Sequence, residues 1–243
     1  MSRPTRTLPP TSIDLTEAGT GEPLTDIAYR RIKAAILEGA LPPSLLASEQ
    51  QIATRLAMSR TPVHQAIVRL HQEGWIELQP RRGLIIAPIS APDMHDIYEA
   101  LLALEVAAVR RLTSLGAPDS DPMLLALEKA CDDGDAALEK GDLQAWASAD
   151  DRFHASLVDL SGNRHITRLV RVVMEQAQRA RLLTLKLRPR PSASNADHRA
   201  ILQAIRVGDP DLACECMRLH RQRGMDVLLP ILEAISTDKS FLH

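Results

Sequence analysis

Hydrophobic and polar positions recur with two different periods along this chain, and the change of period divides it. From Leu24, the apolar residues Ile27, Ile32, Ala35 and Ile36 fall at helical spacing while Arg30, Arg31 and Lys33 lie elsewhere, the pattern of an amphipathic helix. Thr25 or Asp26 offers its cap and Gly39 its stop. Pro42-Pro43 forces an extended connection. Ser48 and Gln51 have the spacing of a capping box and open a short helix carrying Ile52 and Leu56. Ala57-Met58 is a turn. Ser59 or Thr61 caps the next helix, Pro62 suits its first turn, and Val63, Ile67 and Leu70 form its buried face up to Gly74. The period then drops to two. Trp75-Ile76-Glu77-Leu78-Gln79 and Leu84-Ile85-Ile86-Ala87 read as strands joined by a Pro80-Arg81-Arg82-Gly83 turn. Helix, helix, turn, helix, hairpin is the order of a winged helix-turn-helix, in which one helix braces and the next enters the major groove.

Pro88 and Pro92 bracket a linker, and from Asp93 to about Glu233 the chain reads as helix. Helices are expected over 93–115, 121–140, 143–160, 163–184, 194–207 and 210–235. The breaks are Gly116-Ala117-Pro118, Gly141, Ser161-Gly162, Pro189-Arg190-Pro191 and Gly208-Asp209-Pro210. Such short breaks imply antiparallel neighbours. The expected fold is therefore mainly α: an N-terminal winged helix-turn-helix of three helices and a β-hairpin, then an all-α antiparallel bundle. The expected domains are a flexible Pro/Thr-rich arm over 1–23, with Arg3 and Arg6 available to phosphates, a winged domain over 24–88, and a bundle over 93–237.

Composition adds a few exclusions. Aromatic residues make up only 2% of the 243 residues, so Leu and Ala must fill the cores, which favours helix-on-helix packing. The net charge of −2 names no partner, but Leu24–Ser90 holds eight basic residues against five acidic ones, an anion-binding bias at the front end. Cys131, Cys214 and Cys216 are odd in number and form no Cys-x-x-Cys pair, which argues against a disulfide framework and for a reducing, cytoplasmic setting. The N-terminus lacks the apolar core of a signal peptide, and no apolar run reaches bilayer length, so no membrane partner is expected.

Two constellations carry chemistry. On the second helix of the helix-turn-helix, Arg60, Thr61, His64 and Gln65 are free of the buried face. Arg60 can bond guanine O6 and N7 together, Thr61 a phosphate, and Gln65 an adenine. Arg81 and Arg82 at the hairpin tip can reach the minor groove or backbone, and Gly83 permits the turn. In the bundle, Asp150 and His154 at i and i+4 share one helix face, while His198 and His220 lie on later helices. A carboxylate and imidazoles from three helices can build a divalent metal site. Spacing places only the first pair together. Asp151 and Asp197, beside two of these residues, are expected to point off the metal face. His95, His165 and His243 read as surface residues.

Ser59-Arg60-Thr61-Pro62-Val63, with Arg69-Leu70, Glu73-Gly74-Trp75-Ile76-Glu77 and Arg82-Gly83, resembles the GntR family of bacterial transcription regulators. Three positions depart from its pattern. His64-Gln65 stands where Arg-Glu is usual, Gln50 where some members carry a DNA-contacting Arg, and Ser44 where Gly usually follows Pro43. An altered operator preference and a pH-sensitive phosphate contact at His64 are the implied consequences. Asp150-Asp151-Arg152-Phe153-His154, Asp197-His198-Arg199 and Met217-Arg218-Leu219-His220 resemble the FadR-like branch with its FCD ligand domain. That resemblance implies a divalent metal held by Asp150, His154, His198 and His220, with Zn²⁺ first and Ni²⁺, Mn²⁺ or Fe²⁺ open, which helps hold a small carboxylate effector. The Arg that many relatives carry after a Tyr-Glu step is missing, because Tyr98-Glu99-Ala100 is followed by Leu101. Effector recognition then falls to the metal, Arg179, Arg181 or Asn163.

The resulting expectation is a homodimeric, metabolite-responsive repressor of a pseudo-palindromic double-stranded operator, and not an enzyme. A regulator that senses the metal ion itself, and a metal-dependent hydrolase, are the two rival readings. The hydrolase lacks a Glu placed in the His-Glu-x-x-His manner.

Overall fold

The computed structural model describes residues 21–116 and 122–237; most of the expected arm, with Arg3 and Arg6, and His243 lie outside them. The chain divides between Pro88 and Ile89 into two compact units.

In the first unit, α1 (Leu24–Leu37), α2 (Glu49–Leu56) and α3 (Arg60–Gln72) pack beside a small antiparallel sheet in the order β1-β3-β2. The outer strands are β1 (Leu46–Ala47) and β2 (Ile76–Gln79), and β3 (Gly83–Ile86) lies between them. Helix α1 starts at Leu24 behind Pro23 with no side-chain cap. The expected cap Thr25 instead sends its hydroxyl to Gln65 Oε1 at 2.6 Å. The Ser48/Gln51 capping box forms in full, through Gln51 N to Ser48 Oγ at 3.2 Å and Ser48 N to Gln51 Oε1 at 2.8 Å. Ser59 occupies the N-cap position of α3 without a side-chain bond. Val63, Ile67 and Leu70 are buried with Ile32, Ile52, Leu56, Trp75, Leu84 and Ile86 in one core, as the helical period requires.

Strand β1 was not expected, because two residues cannot display a period. Its pairing with β3 sets a demand on Gly83. A Cβ built there would lie 2.3 Å from Ala47 O, so this glycine serves the β1–β3 approach as well as the turn.

The second unit is helical throughout its described residues: α4 (Ala91–Leu115), α5 (Pro122–Glu139), α6 (Leu143–Leu160), α7 (Arg164–Thr184), α8 (Ser192–Arg206) and α9 (Pro210–Thr237), with a 3-10 turn over Leu185–Leu187. Helix α4 begins two residues before expectation. Ser90 caps it by accepting from Asp93 N, and Pro92 sits in the first turn, where its missing N–H costs nothing. Pro92 is thus part of the helix and does not bound a linker. Helix α4 packs on α7 and α9, α5 on α6 and α8, and α8 on α9. Their apolar stripes, among them Leu101, Val109, Phe153, Leu157, Ile201 and Leu228, share one core. No helix of the described residues is long and apolar enough to cross a membrane.

Candidate functional site

The first unit presents a polar face on α3. Arg60, Thr61, His64 and Gln65 are exposed there, opposite the buried Val63, Ile67 and Leu70. They are not independent of their neighbours. Glu49, on the first turn of α2, holds His64 Nδ1 at 2.9 Å and stands 3.7 Å from Arg60. One carboxylate therefore steadies two side chains at the start of α3. Gln65 keeps its amide N–H groups while its oxygen accepts from Thr25. Gln50 is exposed and turns its amide toward Thr54 Oγ1 at 3.4 Å.

At the hairpin tip, Arg82 N donates to Gln79 O at 3.0 Å, closing a turn with Pro80 and Arg81 at its centre. Arg81 has φ +63° and Gly83 φ +100°. Proline first and a left-handed residue second is the type II arrangement, which normally wants glycine or asparagine where Arg81 stands. Arg81 and Arg82 are both exposed.

In the second unit, α6 brings Asp150 and His154 to one face, α8 adds His198, and α9 adds His220. One donor atom from each of the four lies within 4.8 Å of the others, and all four residues are buried. His154 Nε2 and His220 Nε2 face each other at 3.1 Å, and His198 Nε2 is 3.5 Å from Asp150 Oδ1. Phe153 stacks on His198 with ring centroids 4.0 Å apart, which fixes that ring. The opposite nitrogens meet carboxylates: His154 Nδ1 is 3.2 Å from Glu105 Oε1, and His220 Nδ1 is 3.5 Å from Asp197 Oδ2. Neither pair is aligned as a formed hydrogen bond. Carboxylates on the Nδ1 side favour the proton there and leave the Nε2 lone pairs facing inward.

Two inward lone pairs 3.1 Å apart repel unless a positive centre lies between them. His198 Nε2, buried with no hydrogen-bond partner, has the same need. This donor set fits a divalent cation that prefers nitrogen with one oxygen.

The electrostatics agree. Burial works against the Asp150 carboxylate, but the Arg181 guanidinium and the nearby imidazoles outweigh it and hold its pKa well below the usual range. Burial, with Arg221 adding to it, pushes His154 down to about 4 against the pull of Glu105. Burial also depresses His198, helped by His220. His154 and His198 are thus neutral at physiological pH, as metal ligands must be. Glu105 stays ionised despite complete burial because Arg221 and His154 lie against it.

Asp197 lies off the metal face, as expected, but is not remote from the cluster: it stands behind His220, binds Arg223, and lines a cavity. Asp151 does point away, to Arg181 and Gln178. That cavity holds about 210 Å³ beside Asp150 and His220, with walls from Tyr98, Trp146, the 188–191 segment and Val227.

Of the residues expected to meet an effector, only Arg181 lines the cavity, and it is already committed to Asp150 and Asp151. Asn163 and Arg179 are not on its walls. Asn163 caps α7, accepting from His165 N and Ile166 N. Arg179 is buried, and desolvation lowers its pKa to about 10. Leu101 is wholly buried and apolar, so nothing replaces the absent arginine at that step. The cavity's cations come instead from Arg181, Arg188, Arg190, Arg221 and Arg223. Glu105 has a signal in the sequence: it falls on the apolar stripe of α4 at i+4 from Leu101, where only a paired carboxylate is tolerated. His95 and His165 are exposed, as expected.

Comparison with known proteins converges on one group. Residues 24–86 match the profile described as bacterial regulatory proteins, gntR family, and residues 96–223 match the FCD domain. The chain is 41% identical over 152 residues to an HTH-type transcriptional regulator from the TAR-I ttuE-ttuC' intergenic region of Agrobacterium vitis, covering 57% of this chain and 89% of that one. It is 24% identical over 207 residues to the HTH-type transcriptional repressor RspR of Escherichia coli, covering 85% and 90%. Among solved structures, E. coli McbR/YncC superposes with a TM-score of 0.73 at 18% identity, over 86% of this chain and 98% of that one, which speaks to the fold. With a GntR-type helix-turn-helix ahead of an FCD effector-binding domain, this chain belongs to the GntR family of transcriptional regulators.

Proposed function

We propose that this regulator is a homodimeric repressor whose two winged units bind the halves of a pseudo-palindromic operator. Its FCD unit takes a small carboxylate effector beside a bound divalent metal. The observation that carries this reading is the juxtaposition of three inward imidazole nitrogens and Asp150 with a cavity that shares Asp150 and His220 as wall residues.

Asp150, His154, His198 and His220 would hold the ion, with Glu105 and Asp197 orienting two of the rings from behind. When bound, the metal supplies a Lewis-acidic coordination position for an oxygen donor of the effector, and the nitrogen-rich set favours Zn²⁺. Arg60, Thr61, His64 and Gln65 on α3, with Gln50 on α2, face the major groove, and Arg81, Arg82 and Gly83 form the wing contact. The E. coli relative RspR is a transcriptional repressor, which supports the sign of regulation. An effector can alter operator affinity only by binding one arrangement of the dimer better than another.

The test is operator affinity, with DNA flanking the gene, measured with chelator, with metal restored, and with metal plus small carboxylates. The expected result is a large change only when carboxylate and metal are both present. A switch produced by metal alone would transfer the role of effector to the ion. Elemental analysis showing no metal uptake by the purified protein would remove the site.

A further inference from the structure

The cavity beside the donor cluster is lined by several guanidiniums, and their partners differ. Arg181 is bound by Asp150 and Asp151, Arg221 by Glu105, and Arg223 by Asp197. Arg190 donates to the carbonyl of Leu138 at 2.7 Å. Arg188 alone among these has no acid and no carbonyl: its Nε donates to Thr184 Oγ1 at 2.8 Å, its guanidinium also hydrogen-bonds the Tyr98 hydroxyl, and its Nη2 is buried with no hydrogen-bond partner. Desolvation lowers its pKa, with Arg181 adding to this and the Tyr98 hydroxyl and Asp150 pulling the other way. A buried guanidinium edge without an acceptor is costly, and here the cost falls on a cavity wall.

The charge around the site has the same sign. The carboxylates of Asp150, Asp151 and Glu105 face the guanidiniums of Arg181 and Arg221. A divalent ion together with Arg188 leaves this group net positive. The space, about 210 Å³, is roughly that of seven waters and lies below the range of drug-sized sites, about 300–1,000 Å³.

We propose that Arg188 anchors the effector by a bidentate carboxylate contact, and that the effector is a small two-ended acid. One end pairs with Arg188, the short apolar middle rests on Tyr98, Trp146 and Val227, and the other end brings an oxygen donor to the Asp150/His220 side. Arg188 thereby does the work of the arginine missing after Glu99, from a different element of the fold. This rests on the metal-and-carboxylate reading above and adds to it the second contact point and the two-ended character of the ligand.

The experiment uses the full-length, metal-loaded protein. Calorimetry measures binding of succinate, glutarate and adipate and of their half-amides, to wild type, Arg188→Gln and Arg188→Lys. The half-amide keeps one carboxylate for the metal and removes the charge that Arg188 would meet. At least one diacid is expected to bind wild type tenfold or more tighter than its half-amide. Arg188→Gln should erase that difference, and Arg188→Lys should restore part of it, because an ammonium keeps the charge without the planar fork. Metal content should be unchanged in both variants. In the absence of diacid, Arg188→Gln should melt at or above the wild-type temperature, since it removes an uncompensated cation; a structural role would lower it. Equal diacid binding by wild type and Arg188→Gln, or no diacid binding by metal-loaded wild type, overturns the proposal. Absence of metal uptake would instead defeat the reading on which it rests, and elemental analysis separates the two.

Discussion

Three residues of the winged unit that are not glycine hold left-handed backbone: Ser44 at φ +64°, Ala57 at +52° and Arg81 at +63°. Each pays a steric cost of about 1–2 kcal/mol relative to glycine. Against this, glycine loses roughly 0.5–1 kcal/mol of extra chain entropy on folding. Replacing any one of the three by glycine should therefore stabilise the unit by about 0.5–1 kcal/mol. Ser44 precedes β1, and Ala57 closes α2, whereas Arg81 stands at the hairpin tip. A strained residue that a sequence keeps at an exposed tip is a candidate for function. Ser44→Gly and Ala57→Gly should gain stability and leave DNA binding unchanged; Arg81→Gly should gain the same stability and bind DNA less well.

Unfolding in urea can be followed by Trp75 fluorescence in a Trp146→Phe background, because the chain has only two tryptophans and Trp75 is buried in the winged unit. With a slope of ~1 kcal/mol per molar urea, the midpoint should rise by about 0.5–1 M. DNA binding is read as the slope of log affinity against log salt on a duplex of arbitrary sequence, since phosphate contacts are blind to sequence. Loss of one phosphate contact lowers that slope by about 0.9. An Arg81→Gly protein that is no more stable than wild type would refute the strain argument. One that keeps the full salt slope would refute a phosphate contact by Arg81.

Three further outcomes are expected. Arg60→Ala should abolish sequence-specific retardation of DNA flanking the gene in a gel-shift titration while the circular dichroism and melting curve stay as in wild type; unchanged affinity would remove Arg60 from the reading face. Gly83→Ala should destabilise the winged unit by about 2 kcal/mol or more, because its Cβ would meet Ala47 O at 2.3 Å and backbone cannot yield cheaply; the same urea experiment tests it, and a neutral effect would mean that the β1–β3 approach is looser than described. Glu105→Gln should cost about 3–5 kcal/mol, since it leaves Arg221 buried without its counter-charge. It should also weaken metal retention on dialysis, because His154 loses the carboxylate behind its Nδ1; retention equal to wild type would reduce Glu105 to a purely structural partner of Arg221.

The sequence by itself determined the helices, the hairpin and their order. The 3.6-residue stripe of Val63, Ile67 and Leu70 committed one face of α3 to the core and left Arg60, His64 and Gln65 outside it. The same logic put Asp150 and His154 on one side of α6, because residues four apart on a helix must lie together. Such statements are local, and one helix suffices to make them true.

Only the tertiary structure decided what lies at long separation. That His198 and His220 meet His154, that Glu105 and Asp197 stand behind two of the rings, and that Asn163 and Arg179 leave the cavity walls to Arg188 and its neighbours all depend on how α4, α6, α8 and α9 cross. Strand β1 and the burden it places on Gly83 were hidden for a related reason: two residues carry no period, and their pairing partner β3 begins only 36 positions later. Periodicity reports which way a side chain points from its own element. What it meets there is set by packing against residues a hundred positions away, as with Glu105 and Arg221.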